Sequence, residues 1–108
     1  MADLDLVYAA LADSSRRAMI TRLALGPASV SELAAPLRMS LPAVTKHLAL
    51  LERSGFVLSH KHGRVRTCRI DPERLDAAQD WLSKQKSLWE TRFDRMDALV
   101  LKTGDADD

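Results

Sequence analysis

The side chains able to hold a ligand are concentrated in one stretch of this chain. Residues 14 to 70 carry ten Lys/Arg (16, 17, 22, 38, 46, 53, 61, 64, 66 and 69) against only Glu32 and Glu52, a net of +8. The two flanks carry six basic and thirteen acidic residues, so the formal net charge of +1 conceals a basic middle between acidic ends. A uniformly solvated surface mixes its signs, whereas this segregation points to a polyanion meeting the middle. Lys61, Arg64, Arg66 and Arg69 crowd around His62-Gly63-Arg64, with His60 and His62 between them. Like charges at that spacing repel one another, and an anion placed nearby relieves the repulsion. The plainer reading, a charged hairpin edge in water, explains each cation singly but not the cluster.

Other chemistries are poorly served. Cys68 is the only cysteine, so no internal disulfide can form, which fits a reducing cytoplasm. Alternation with Arg66 and Ile70 makes it a small apolar filler on the inner face of a hairpin; a redox switch would want a resolving thiol or a lowered pKa. His60 and His62 point to one side of a strand, but two ligands fall short of the three or four that a metal site needs. No Ser/His/Asp set, paired-carboxylate cleft or phosphate-cradling glycine loop is visible, so neither an enzyme nor a bound cofactor or metal is expected.

The elements that position these groups follow from periodicity and capping residues. Leu4, Val7, Tyr8 and Leu11 lie at helical spacing and predict a helix over 4–12. Asp13 caps a second over 14–25, with Ala18, Met19, Leu23 and Ile20 as its apolar face and Gly26-Pro27 as its stop. Ser29-Val30-Ser31-Glu32 is a capping box opening a short third helix that Pro36 must kink or end. After Arg38-Met39, Ser40 caps a fourth helix with Pro42 in its first turn, running to about Ser54 and stopped by Gly55. FVLSHKH and RVRTCRI alternate about a glycine turn and read as a β-hairpin. Asp71-Pro72 opens a last, long helix over 72–102, and 103–108 is expected to be a disordered tail.

Two helices joined by a tight turn and followed by a basic hairpin form a winged helix-turn-helix: mainly α, ordered α-α-α-α-β-β-α, in one domain over 1–102. The helix-turn-helix spans about 29–54 and the wing about 56–70. An α-helix fits the DNA major groove, so the expected partner is double-stranded DNA. At 100° per residue, Val44, Leu48 and Leu51 share the core stripe of the fourth helix, while Pro42, Lys46, Ala49 and Arg53 lie opposite, small and basic. Lys46 and Thr45 are the expected base-edge contacts, with Ser40, Pro42 and Ala43 nearest the groove floor. Arg53, Lys61, His62, Arg64 and Arg66 are expected on phosphates. His47, at the border of the core stripe, reads equally as a packed side chain and as a phosphate donor at the rim of the groove.

The run ALADSSRRAMITRLALGPASVSELAAPLRMSLPAVTKHLALLERSGFVLSHKHGRVRTCRI resembles the winged-helix region of the ArsR/SmtB family of bacterial repressors. The likeness covers roughly residues 6 to 70 and rests on ALADSSRR, the SVSELA helix, SLPAVTKHLALLERSGFV and the glycine-turned wing. It implies a homodimer on a two-fold symmetric operator, repression by blocking polymerase, and release by an effector. The family's metal sensors carry a Cys-x-Cys pair where this chain has Ala34 and Pro36, and its other zinc sites use Asp and His residues on the last helix, which has no histidine here. Classical arsenic or zinc sensing is therefore not expected.

Dimerisation is expected through the flanks. Leu75, Leu82, Trp89 and Met96 repeat every seven residues, joined by Ala78, Trp81, Leu88, Phe93 and Val100. So broad an apolar face on a 30-residue helix exceeds what a small winged helix can cover, and pairing with a second copy covers it, together with Leu4, Val7, Tyr8 and Leu11. The apolar runs are far shorter than a membrane span, and the acidic opening MADLDL is no signal peptide; a cytoplasmic protein is expected. Two other readings stay open: a redox or metal sensor of this fold using Cys68 or the wing histidines, and an interaction module that has lost DNA binding. A small-molecule or protein effector is compatible with the sequence and not identified by it.

Overall fold

A computed structural model describes residues 3–104, with side chains as far as Met96. Helix α1 (Leu4–Leu11) starts at Asp3, whose carboxylate accepts the N–H groups of Asp5 and Leu6. Asp13 does the same for α2 (Ser14–Ala24), accepting from Ser15 at 2.8 Å and Arg16 at 3.1 Å. Each carboxylate thereby satisfies N–H groups that the helix itself leaves orphaned. The Ser29 capping box is formed in both directions at the head of α3 (Val30–Leu37): Ser29 Oγ accepts from the Glu32 N–H, and Glu32 accepts from the Ser29 N–H at 3.0 Å. Pro36 sits in the last turn, and Arg38 follows in the left-handed region at φ 54°. That reversal leads into α4 (Leu41–Arg53), capped by Ser40.

The N–H of Ser29 donating to Glu32 holds its carboxyl below the ordinary glutamate value. A carboxylate whose folded pKa is depressed adds stability above its unfolded pKa, and that stability is lost as pH falls through the lower folded value. Glu32→Gln keeps an acceptor oxygen but cannot titrate. Thermal melts of this variant between about pH 5 and about pH 3 should therefore fall less steeply than those of the parent; parallel curves would show that the box adds nothing ionic.

Before α3 the chain forms a strand that the sequence reading does not assign. This β1 (Ala28–Ser29) pairs antiparallel with β3 (Val65–Ile70), Ala28 facing Cys68, and β3 pairs in turn with β2 (Val57–His62), giving the order β1-β3-β2. Two residues carry no alternation to detect, and their partner lies forty residues away. Gly63 turns the hairpin at φ 63°, and Gly55 leaves α4 at φ 86°, where a Cβ would overlap the Arg74 guanidinium. The last element is α5 (Pro72–Gly104). Its observed end lies two residues past the expected boundary, and the remaining expected tail, 105–108, lies outside the described residues.

The chain divides into two units, one ending at Ala78 and one beginning at Gln79. The first holds the core: Met19, Leu23, Leu33, Val44, Leu48, Leu51, Phe56, Val57 and Cys68 are all essentially inaccessible. Three sequence expectations are corrected here. Val7 has no exposed surface within its own chain, so it is a core residue and has no area left to offer a partner. Ala78 is likewise buried at 7% exposure, and its carbonyl accepts the Tyr8 hydroxyl at 2.6 Å. On α2 the buried residues are Met19, Ile20 and Leu23, while Ala18 is exposed. Leu4, Tyr8 and Leu11 are half-buried, the last two packed against this core.

The second unit is the remainder of α5. Trp81, Leu82, Leu88, Trp89, Phe93 and Met96 expose 44% to 66% of their surface; Leu75, in the helix's first turns, exposes 39%. Trp89 and Phe93 lie one turn apart as a tilted ring pair, with centroids 6.4 Å from each other. The Val100 side chain lies outside the described residues. Among the described residues no helix is long and apolar enough to cross a membrane.

Candidate nucleic-acid interface

Helix α4 is held by the core on one side and bare on the other. Val44, Leu48 and Leu51 are 0% exposed, and α4 packs against α1, α2, α3 and β2. Pro42, Lys46, Ala49 and Arg53 are exposed, as the 100° projection places them, and so is Thr45. Ser40 is exposed at the head of the helix and accepts the N–H of Ala43, itself half-buried. The first turn contains no carboxylate, so the positive end of the helix dipole is uncompensated there.

Thr45 differs from its sequence reading in one respect. Its hydroxyl donates to the Leu41 carbonyl at 2.8 Å, so the proton is engaged within the helix. Outward it offers a methyl group and acceptor lone pairs rather than a donor. Beside it Leu41 is 51% exposed, a residue that the sequence reading passes over. The available signal was its place directly after the N-cap and outside the Val44–Leu48–Leu51 stripe, where nothing in the core claims it.

The ten cations of the basic middle separate into two groups. Arg16 and Arg17 donate to the carbonyls that end α1 (Ala9, Ala10 and Leu11), and Arg22 donates to the Gly26 carbonyl and lies 3.7 Å from Glu32. Arg66 pairs with Glu52, which also accepts from the Ser59 hydroxyl at 2.8 Å. Arg66 stands directly opposite Lys61 in the β2–β3 register, so Glu52 removes a like-charge clash while tying the hairpin to the end of α4. Among the described residues, Arg38, Lys46, Arg53, Lys61, Arg64 and Arg69 are exposed and have no ion pair or hydrogen bond from their side chains; His62 is exposed beside the turn. These are the charges left for an external anion.

His47 is half-buried, with Nδ1 3.1 Å from the Arg16 guanidinium. Asp13 is held below the ordinary aspartate value chiefly by the Arg16 backbone N–H that it caps, with a smaller contribution from the Ser15 N–H. Cys68 is buried at 0% exposure, 3.6 Å from the Ser59 hydroxyl. Among the described residues no group of three or more His, Cys, Asp or Glu is placed to hold a metal ion.

A short helix, a three-residue turn, a second helix with a bare basic face and a hairpin carrying unpaired cations define a winged helix-turn-helix DNA-binding protein. Residues 11–60 match the family model described as a helix-turn-helix domain. The chain is 41% identical over 80 residues to the HTH-type transcriptional regulator Rv2034 of Mycobacterium tuberculosis, covering 74% of this chain and 75% of that one. It is 30% identical over 96 residues to the arsenical resistance operon repressor of Escherichia coli, covering 87% of this chain and 79% of the repressor. Among solved structures, the ArsR family transcriptional regulator RHA00566 superposes with a TM-score of 0.78 at 50% identity, covering 83% of this chain and 97% of that one. The homodimeric winged helix-turn-helix domain of Mb0332 from Mycobacterium bovis superposes at 0.63 with 27% identity, covering 82% of this chain and 80% of that one. The chain belongs to the ArsR family of transcriptional regulators.

Proposed function

We propose that this protein is a cytoplasmic homodimeric repressor, without catalytic activity, that binds a two-fold symmetric operator and blocks transcription by occupying it. The observation that carries the reading is the sorting of cations: those of α2 and Arg66 are consumed internally, while Lys46, Arg53, Lys61, Arg64 and Arg69 are left exposed on α4 and the wing, and Arg38 in the turn between α3 and α4. The exposed face of α4 enters the major groove, with Lys46 on a base edge and Pro42, Ala43 and Thr45 close to the groove floor. Lys61, His62 and Arg64 meet the flanking backbone, and Arg53 meets phosphate at the far end of α4. Arg66 acts through Glu52, bracing the wing against α4.

The exposed apolar face of α5 supports dimerisation, as does the homodimeric state of the M. bovis relative. Two copies place two recognition helices about 34 Å apart, one per successive major groove. A repressing role is supported by the name of the E. coli relative, although Ala34 and Pro36 offer no thiolates for arsenic.

The test contrasts two variants on a duplex selected by the protein from random DNA. Lys46→Ala should weaken that duplex by roughly 1–3 kcal/mol and relax preference at one position per half-site. The double variant Lys61→Ala with Arg64→Ala should weaken every duplex alike and lower the slope of log affinity against log salt by about two per protomer. A double variant with the parent's slope removes the wing from the interface, and a Lys46→Ala variant with unchanged affinity and selectivity removes α4.

A further inference from the structure

Arg16 stands apart from the DNA-facing residues, yet among the described residues it makes the one side-chain hydrogen bond that reaches the recognition helix from α2. Its Nε donates to the Ala10 carbonyl at 2.9 Å, Nη2 donates to the Ala9 carbonyl at 2.8 Å, and Nη1 lies 3.1 Å from His47 Nδ1. A guanidinium has donors only and stays protonated in proteins, so a hydrogen bond here requires a lone pair on Nδ1. A neutral imidazole with its lone pair on Nδ1 carries its proton on Nε2. The nearby Asp13 carboxylate is engaged as the α2 cap, accepting from Ser15 and Arg16. The contact thus selects one tautomer and directs the ring's N–H away from Arg16.

We propose that Arg16 is a positioning residue that locks His47 as the Nε2–H tautomer, and that this neutral N–H donates to a non-bridging phosphate oxygen of the operator backbone. The proposal rests on α4 being the DNA-facing helix. It separates His47 physically from its neighbours. Lys61 and Arg64 neutralise phosphates and release counterions, so they contribute to salt dependence; a neutral donor adds a hydrogen bond and releases none. Because the same guanidinium holds the last carbonyls of α1, the ring's orientation is set by where α1 ends. A second group that orients a histidine through its other ring nitrogen is a recurrent device wherever the ring must present a fixed atom.

The amide nitrogen of Gln can occupy the place of Nε2, and the side chain of Asn reaches only that of Nδ1. His47→Gln should therefore bind the selected duplex within about threefold of the parent, while His47→Asn should lose about tenfold, the loss typical of a hydrogen bond to a charged acceptor. The salt slope of His47→Asn should match the parent's. In 15N-histidine-labelled parent protein at mildly alkaline pH, the His47 ring, assigned by its absence in His47→Gln, should show a pyridine-like Nδ1 and a pyrrole-like Nε2. Arg16→Ala should mix the two tautomers, and the parent spectrum stands as a test even if that variant fails to fold. A protonated Nδ1 in the parent overturns the tautomer lock. A His47→Asn variant that binds like the parent, or whose salt slope falls by about one, overturns the neutral phosphate contact. Lys46→Ala measured on the same duplex separates the two levels: if it also binds like the parent, the placement of α4 fails, and if it alone weakens binding, only the role of His47 fails.

Discussion

Trp89→Ala should convert the protein from dimer to monomer in sedimentation equilibrium and lower its affinity for a two-half-site duplex by about 10²–10⁴-fold. Trp89 is 65% exposed in the single chain, with Phe93 beside it and Leu82 and Met96 one heptad step on either side. A tryptophan of this kind buries about 150–250 Å² when covered, and interface tryptophans rank among the residues whose truncation costs most. The DNA effect is larger than the loss of any single contact because dimerisation makes binding of the second half-site intramolecular. A duplex carrying one half-site provides the control, since a monomer and a dimer engage it through the same α4. Its affinity should hardly change. A variant that remains dimeric at the parent's association constant would move the interface off this face of α5.

Leu48→Ala should destabilise the fold by about 2–5 kcal/mol, a large share of the ~5–15 kcal/mol that holds a domain together. Leu48 is 0% exposed, in the centre of the α4 stripe, between Val44 and Leu51. Truncation removes transfer energy and leaves a cavity that neighbours on several elements cannot all collapse into. Urea unfolding should show a lower midpoint with an unchanged m-value, since the surface exposed on unfolding stays nearly the same. The outer face of α4 keeps every side chain, so the folded fraction should retain the parent's selectivity among duplexes. A change below about 1 kcal/mol would mean that the recognition helix is not anchored by this stripe.

Both expectations draw on residues whose side was readable from helical projection. The α4 stripe could be read because one period of 100° per residue sorts its few apolar residues onto one face and its cations onto the other. Val7 shows the limit of that reasoning. Periodicity places Val7, Tyr8 and Leu11 on one apolar face of α1, but it carries no information on whether that face meets its own core or a second copy. Packing decided it: Val7 is fully buried, and Tyr8 reaches across to the carbonyl of Ala78.

The basic middle divides along the same line. Ten cations in one stretch are visible by counting, and their excess points to an anion. Which of them remain available depends on partners in other elements: Arg66 on Glu52, Arg16 on His47, Arg22 on Glu32. The two-residue strand β1 belongs here too, since its existence is only its pairing with β3.

The amino-acid sequence alone determined the caps at Asp13, Ser29 and Ser40, the stops at Gly26-Pro27 and Gly55, the hairpin turn at Gly63 and the two faces of α4, because each arises from interactions spanning a few residues. Only the tertiary structure decided which arginines are spent internally, which α1 residues belong to the core, and that a third strand joins the wing. Those outcomes rest on contacts between different elements, some of them tens of residues apart, which packing selects and local periodicity does not encode.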